Sequence, residues 1–125
     1  MRIRSYRDLE IWKRGIALVE NIYSVTKLFP REELYGLTSQ IRRSSVSIPS
    51  NIAEGFARSS GKEYKQFLFI TLGSCAELST QLTISLKLGY LEEVDSKKLL
   101  NEIEEISKMT MSLIKKLNFK LETND

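Results

Sequence analysis

The chain has 125 residues, room for one domain that buries its own core without a disulfide or a structural metal. It carries 19 Lys and Arg against 16 Asp and Glu, a net +3, with a single cysteine, Cys75, and no histidine. Within one chain those counts exclude Ser-His-Asp and Cys-His catalysis, histidine-containing zinc sites, dithiol redox chemistry and an intramolecular disulfide. The start is basic, but Glu10, Lys13 and Arg14 interrupt any apolar segment behind it, so it does not read as a signal sequence. No unbroken apolar run exceeds four residues, the length of Phe67–Ile70, far short of the ~20 residues of a membrane span. The expectation is a cytoplasmic domain with no membrane partner.

Apolar positions recur every three or four residues, the period of helices, and no strand pattern competes. The first predicted helix runs from about Tyr6 to Leu28 and stops before Pro30. It carries two apolar stripes, Leu9-Trp12-Ile16-Val19-Tyr23 and Ile11-Leu18-Ile22-Val25-Phe29. One stripe suffices for a bundle core; the second reads as a wide core face or as a contact with another subunit.

The second predicted helix runs from about Glu32 to Arg58 and holds Pro49. Proline inside a helix removes a backbone bond and kinks the axis. Ile41, Ile48, Ile52 and Phe56 keep helical phase across it, which favours one kinked helix; the rival is a restart capped at Asn51, with Glu54 three residues on. The third helix runs from about Lys62 to Leu88 and ends at Gly89, and its Gly73, Ala76, Thr80 and Thr83 form a stripe of small residues for close packing, within the bundle or between subunits. The fourth is capped by Asp95 or Ser96 and runs to about Leu117, with Leu99, Ile103, Ile106, Leu113 and Leu117 on one seam. All connections are short, so each helix folds back on the last. The fold class is all-α: a single-domain, antiparallel, up-down-up-down four-helix bundle over 1–125.

Gln40, Arg43, Asn51, Glu54 and Arg58 recur along the second helix, together with Ser47. This ladder is either a solvated face or a structural polar network with Glu77 and Gln81 of the third helix. Glu54 and Glu77 are accompanied by no nucleophile, phosphate loop or metal-ligand cluster, so the chain does not read as an enzyme, and no cofactor or metal is expected. Cys75, among small residues, reads as buried and inert.

The order Trp12, Ile22-Tyr23, Phe29-Pro30, Tyr35-Gly36-Leu37, Gln40-Ile41-Arg42-Arg43, Asn51-Ile52-Ala53-Glu54-Gly55, Phe67-Leu68, Gly73-Ser74, Glu77-Leu78, Gln81-Leu82 and Leu88-Gly89-Tyr90-Leu91 resembles the four-helix-bundle proteins encoded in intervening sequences of bacterial 23S ribosomal RNA genes. That family is similar to the accessory proteins of diversity-generating retroelements, which bind nucleic acid and partner a reverse transcriptase. The resemblance implies a homo-oligomer, a ring of five, with no known enzymatic activity; a reverse transcriptase is an implied partner only in a retroelement context.

Up-down-up-down topology gathers residues 1–14, 54–65 and 108–125 at one end, with net charges of +3, +1 and +2, and leaves the rest of the chain at −3. In a ring all copies point the same way, so the charge is repeated around one rim. Arg2, Arg4, Arg7, Lys13, Arg14, Lys115, Lys116 and Lys120 are the candidate nucleic-acid-binding residues, acting on phosphates of structured RNA, or of DNA, without reading sequence. The alternative is a protein-interaction scaffold whose charge serves solubility.

Overall fold

The computed structural model describes the backbone of residues 3–123 and the side chains of 3–118. The described residues form four long helices with no strand: α1 Glu10–Thr26, α2 Leu37–Phe56, α3 Gly61–Lys87 and α4 Glu93–Thr123. α1 packs on α2 and α4, and α3 packs on the same two, so consecutive helices are neighbours and α1 and α3 sit diagonally across the bundle. This is the expected up-down-up-down arrangement.

Two helices begin later than periodicity indicates, each behind a short 3-10 turn. The Asp8 carboxylate accepts the amides of Arg4 and Ser5 at 2.9 and 3.2 Å, closing a turn over Tyr6–Asp8. Leu9 is then extended (φ −73°, ψ 129°), and α1 starts at Glu10. A second turn covers Arg31–Glu33, and Gly36 breaks the chain with φ −114°, ψ −112° before α2. Glu33 caps that start, accepting the Leu37 amide at 3.1 Å through Oε1 and the Tyr90 hydroxyl at 3.1 Å through Oε2. Ser60 caps α3 by accepting the Glu63 amide at 3.2 Å. At its other end the Gly89 and Tyr90 amides donate to the carbonyls of Leu86 and Ser85, with Gly89 at φ +81°, a left-handed close that glycine adopts without strain. The fourth helix starts earlier than either expected cap, with Asp95 inside its first turn and the Ser96 amide bonded to the Glu92 carbonyl.

Pro49 lies inside an unbroken α2, so the single-helix reading holds over the restart. Its ring faces Gly15 of α1. A β-carbon at Gly15 would come within 3.2 Å of Pro49 Cβ, so the small residue lets the two helices close on the proline.

The core is built from Ile11, Leu18 and Ile22 of α1, Ile41, Ile48 and Ile52 of α2, Leu68, Cys75, Leu78 and Leu82 of α3, and Leu99, Ile103, Ile106 and Ile114 of α4. Of the two stripes on α1 the second faces the core, while Ile16 and Tyr23 of the first stay exposed. Ile114 of α4, which lies off the seam of Leu99, Ile103, Ile106, Leu113 and Leu117, is buried as well. Buried hydroxyls bond back into their own helices: Thr26 to the Ile22 carbonyl, Ser85 to Gln81 and Thr110 to Ile106, at 2.7–2.9 Å. Burial raises the thiol pKa of Cys75, in keeping with an inert core residue.

By length and composition α3 is apolar enough to cross a membrane: an 18-residue window has mean hydropathy 1.3, with 39% of it buried in the bundle. Unbroken runs in the sequence hide this, because small and hydroxyl residues punctuate them. Its inner face is itself rich in such residues, with Thr71, Ser74 and Ser85, and the amide of Gln81, buried beside the leucines.

Candidate nucleic-acid interface

One end of the bundle holds the start of α1, the connection between α2 and α3, and the end of α4. Leu9, Glu10 and Ile11 share a groove there with Met109, Leu113 and Lys116, and Lys65 Nζ donates to Asn118 Oδ1 at 2.8 Å. The antiparallel pairing of α1 with α4 thus places Arg4, Arg7 and Lys13 at the same end as Lys115 and Lys116, all five exposed. Arg7 stacks its guanidinium 4.7 Å from the Tyr6 ring centroid, and Tyr6 meets Trp12 edge-on at 5.4 Å. Arg2 and the side chain of Lys120 lie outside the described residues.

Arg14 differs from the other candidates. Its Nε and Nη2 donate to the two carboxylate oxygens of Glu102 at 2.8 and 3.0 Å, a bidentate pair that ties α1 to α4 and raises the guanidinium pKa through that hydrogen bond. Its charge is answered inside the protomer, so among the described candidates the positive surface at this end rests on the other five.

The polar ladder does not form one ion-paired network within a protomer. Glu54 bonds Arg58 one turn along the same helix at 2.8 Å, with 56% and 42% of the two side chains exposed. Gln40, Arg43 and Glu77 are also exposed, Asn51 is half-buried, and Gln81 is buried with its Oε1 unpartnered. What crosses from α2 to α3 is hydroxyl chemistry. Ser44 donates to Glu77 Oε1 at 3.0 Å, Ser47 and Ser74 share a bond of 2.8 Å, and Asn51 Nδ2 donates to the Ser47 carbonyl and hydroxyl. Spacing placed these residues on one face; it carried no information on what lies opposite.

This geometry sets an expected result. In the isolated protomer Glu54→Gln and Glu104→Gln should shift the denaturant midpoint alike, since Glu104 is likewise exposed and paired one turn along with Lys108 at 3.7 Å. Exposed pairs of this kind are worth about 0–1 kcal/mol. A loss of several kcal/mol confined to Glu54→Gln would place that carboxylate in a buried network after all.

Two features escaped the sequence. The first is the breadth of the outer face of α3, where Phe69, Ile70 and Ile84 are 51%, 50% and 43% exposed beside the small stripe of Gly73, Ala76, Thr80 and Thr83. From Phe69 to Ile84 the only charge on that face is Glu77. Gly73 has no packing reason inside the protomer: a β-carbon there would meet nothing within 4 Å. The second is a set of three cations, Lys27, Arg31 and Arg42, around a cavity at the other end. Lys27 and Arg31 come from the connection and Arg42 from α2, so no single helical period joins them. Among the described residues there is no cluster of acidic or cysteine side chains able to hold a metal ion.

Comparison with known proteins points one way. A family model described as 23S rRNA-intervening sequence protein matches residues 7–112. The crystal structure of a protein of unknown function from the S23 ribosomal protein family of Bacteroides thetaiotaomicron superposes with a TM-score of 0.78 at 24% identity, over 84% of this chain and 98% of that one. No curated protein matches the chain.

Proposed function

The chain belongs to the 23S rRNA-intervening sequence protein family, and from that premise we propose that it is a non-enzymatic, ring-forming bundle that holds structured RNA by its phosphates. The observation that carries the proposal is the gathering of Arg4, Arg7, Lys13, Lys115 and Lys116 at one exposed end. Phosphate contacts need cations at the surface and no fixed pocket, and they supply affinity without sequence preference.

Assembly multiplies that end. The outer face of α3 is suited to a second copy of the same chain, because Gly73, Ala76 and Thr80 let a neighbouring helix approach closely while Phe69, Ile70 and Ile84 supply apolar area. A mid-helix glycine costs about 1 kcal/mol relative to alanine, a cost that nothing inside the protomer requires. In a cyclic ring of five with its axis along the bundles, every basic end points the same way.

RNA retention against salt is the direct test. Log affinity should fall linearly with log salt, and each phosphate contact removed should lower the slope by about 0.7–0.9. Arg4→Ala/Lys13→Ala/Lys116→Ala should bind more weakly with a shallower slope, whereas Lys97→Ala/Lys98→Ala, at the opposite end, should change little. Absence of retention by the parent chain at low salt, or equal loss in both variants, would leave the scaffold reading, in which the ring docks a protein partner.

A further inference from the structure

The connection between α1 and α2 folds over a cavity of about 450 Å³ lined by Thr26, Lys27, Phe29, Pro30, Arg31, Leu34, Thr38 and Arg42. Three of these are cations and none is a carboxylate. Lys27 and Arg31 are exposed, and none of the three is ion-paired among the described residues. The nearby Glu33 is already engaged by the Leu37 amide and the Tyr90 hydroxyl.

Arg42 is the built part of the site. It is half-buried, its Nε donates to Thr26 Oγ1 at 2.9 Å, and its guanidinium carbon lies 4.5 Å from the centroid of the Tyr23 ring. Thr26 is fixed in turn by its bond to the Ile22 carbonyl. One edge of the guanidinium is therefore held by α1, while its two terminal nitrogens have no hydrogen-bond partner among the described residues. Thr38, at 3% exposure, also lines the cavity, and its hydroxyl has no partner. A buried hydroxyl without a partner marks an incomplete hydrogen-bond set. The first turn of α2 carries no acidic residue, so the positive end of its dipole adds to the field.

We propose that this cavity binds the phosphate of a phosphomonoester, with Arg42 gripping two oxygens and Lys27 and Arg31 closing over the anion. A planar guanidinium with two unused donors matches a phosphate edge. Phe29, Pro30 and Leu34 give an apolar wall for the organic part of the ligand. A free nucleotide and the terminal phosphate of a strand share this chemistry. The site lies at the end of the bundle remote from Arg4, Lys13 and Lys116, so it stands apart from the rim.

Calorimetric titration of the full chain with inorganic phosphate and with a nucleoside monophosphate should give saturable binding at one site per chain. Arg42→Gln and Arg31→Ala should each weaken it by roughly tenfold or more. Arg4→Ala/Lys13→Ala/Lys116→Ala should bind as the parent does, which separates failure of this site from failure of the rim. Arg31 is exposed and bears no side-chain bond, so its variant tests the site even where Arg42→Gln disturbs the fold. A 5′-phosphorylated short oligonucleotide that outcompetes its 5′-hydroxyl form supports the site and names a strand end as the source; equal competition with retained monophosphate binding supports it and names a free nucleotide. No saturable binding of either small probe at millimolar concentration, or unchanged affinity in Arg31→Ala, overturns the proposal.

Discussion

Gly73→Leu should yield a folded bundle that scatters light as a single 14.4 kDa chain, where the parent, if it forms the proposed ring, should scatter as five. The side chain would project from the outer face of α3 into space that is open in the protomer. The added β-carbon meets nothing within 4 Å in the bundle, and leucine is the better helix former by close to 1 kcal/mol. The protomer should therefore melt no lower than the parent bundle does when dissociated, while two helices meeting at Gly73 are pushed apart by a whole isobutyl group. Opposite signs for fold and assembly are what separate an interface from a merely solvent-facing glycine. Size-exclusion chromatography with light scattering at micromolar concentration decides it. A parent that runs as a monomer, or a variant that keeps the parent mass, removes α3 as the contact between copies.

Gly55→Val should act in the reverse way and strike the fold itself. Gly55 is buried near the end of α2, where a β-carbon would come within 2.8 Å of Phe67 Cβ, 3.0 Å of Tyr64 Cδ1 and 3.2 Å of the Tyr64 carbonyl. Real β-carbons do not approach that closely, and one of the opposing atoms is backbone, so α2 and α3 must separate. Tyr64 has little room to yield: it packs edge-on against Phe56 at 5.9 Å, and burial pushes its hydroxyl pKa up to about 12. Overpacking of this kind costs typically 1–3 kcal/mol and occasionally more. Tm should fall by on the order of 10 °C for a chain of this length. The measurement belongs in the Gly73→Leu background, so that unfolding is not coupled to dissociation. A Gly55→Val chain that melts with its parent would show that the helices do not meet at this point.

The four helices and their order were legible because each carries its core residues at helical period, and α1 and α3 end at recognisable stops, Phe29-Pro30 and Gly89, whereas α4 runs on to Thr123, past the expected end near Leu117. Their starts were less so. The breaks at Leu9 and Gly36 depend on Asp8 and Glu33 reaching back to or forward from a particular amide, a matter of geometry that composition does not encode. Periodicity also identified two stripes on α1 without telling which faces inward, since adjacent stripes differ by one small rotation of the helix; the core took Ile11, Leu18 and Ile22. The meeting of Arg4, Arg7 and Lys13 with Lys115 and Lys116 followed from topology alone. The neutralisation of Arg14 by Glu102 did not, because it joins residues 88 apart in the chain. Arg42, Arg31 and Lys27 are close in the chain, but only the fold of the connection between α1 and α2 turns them onto one cavity.

The adjacency of consecutive helices bears on how the molecule is made. Each hairpin, α1 with α2 and α2 with α3, joins segments close in sequence, so the ordering entropy of its loop is small and the bundle belongs among quickly folding topologies. α4 alone must dock on a helix distant in sequence, α1, as well as on its predecessor, and it is the last of the four to leave the ribosome. Until it arrives, the α1 and α3 surfaces that it will cover stay open, and α3 faces water on its outer side too. A nascent chain therefore shows α3 to solvent on two sides, on the face that α4 will cover and on the outer face of Phe69, Ile70 and Ile84. The first exposure ends when α4 docks; under the proposed ring the second would last until another copy arrives, and would shorten as the concentration of finished chains rises.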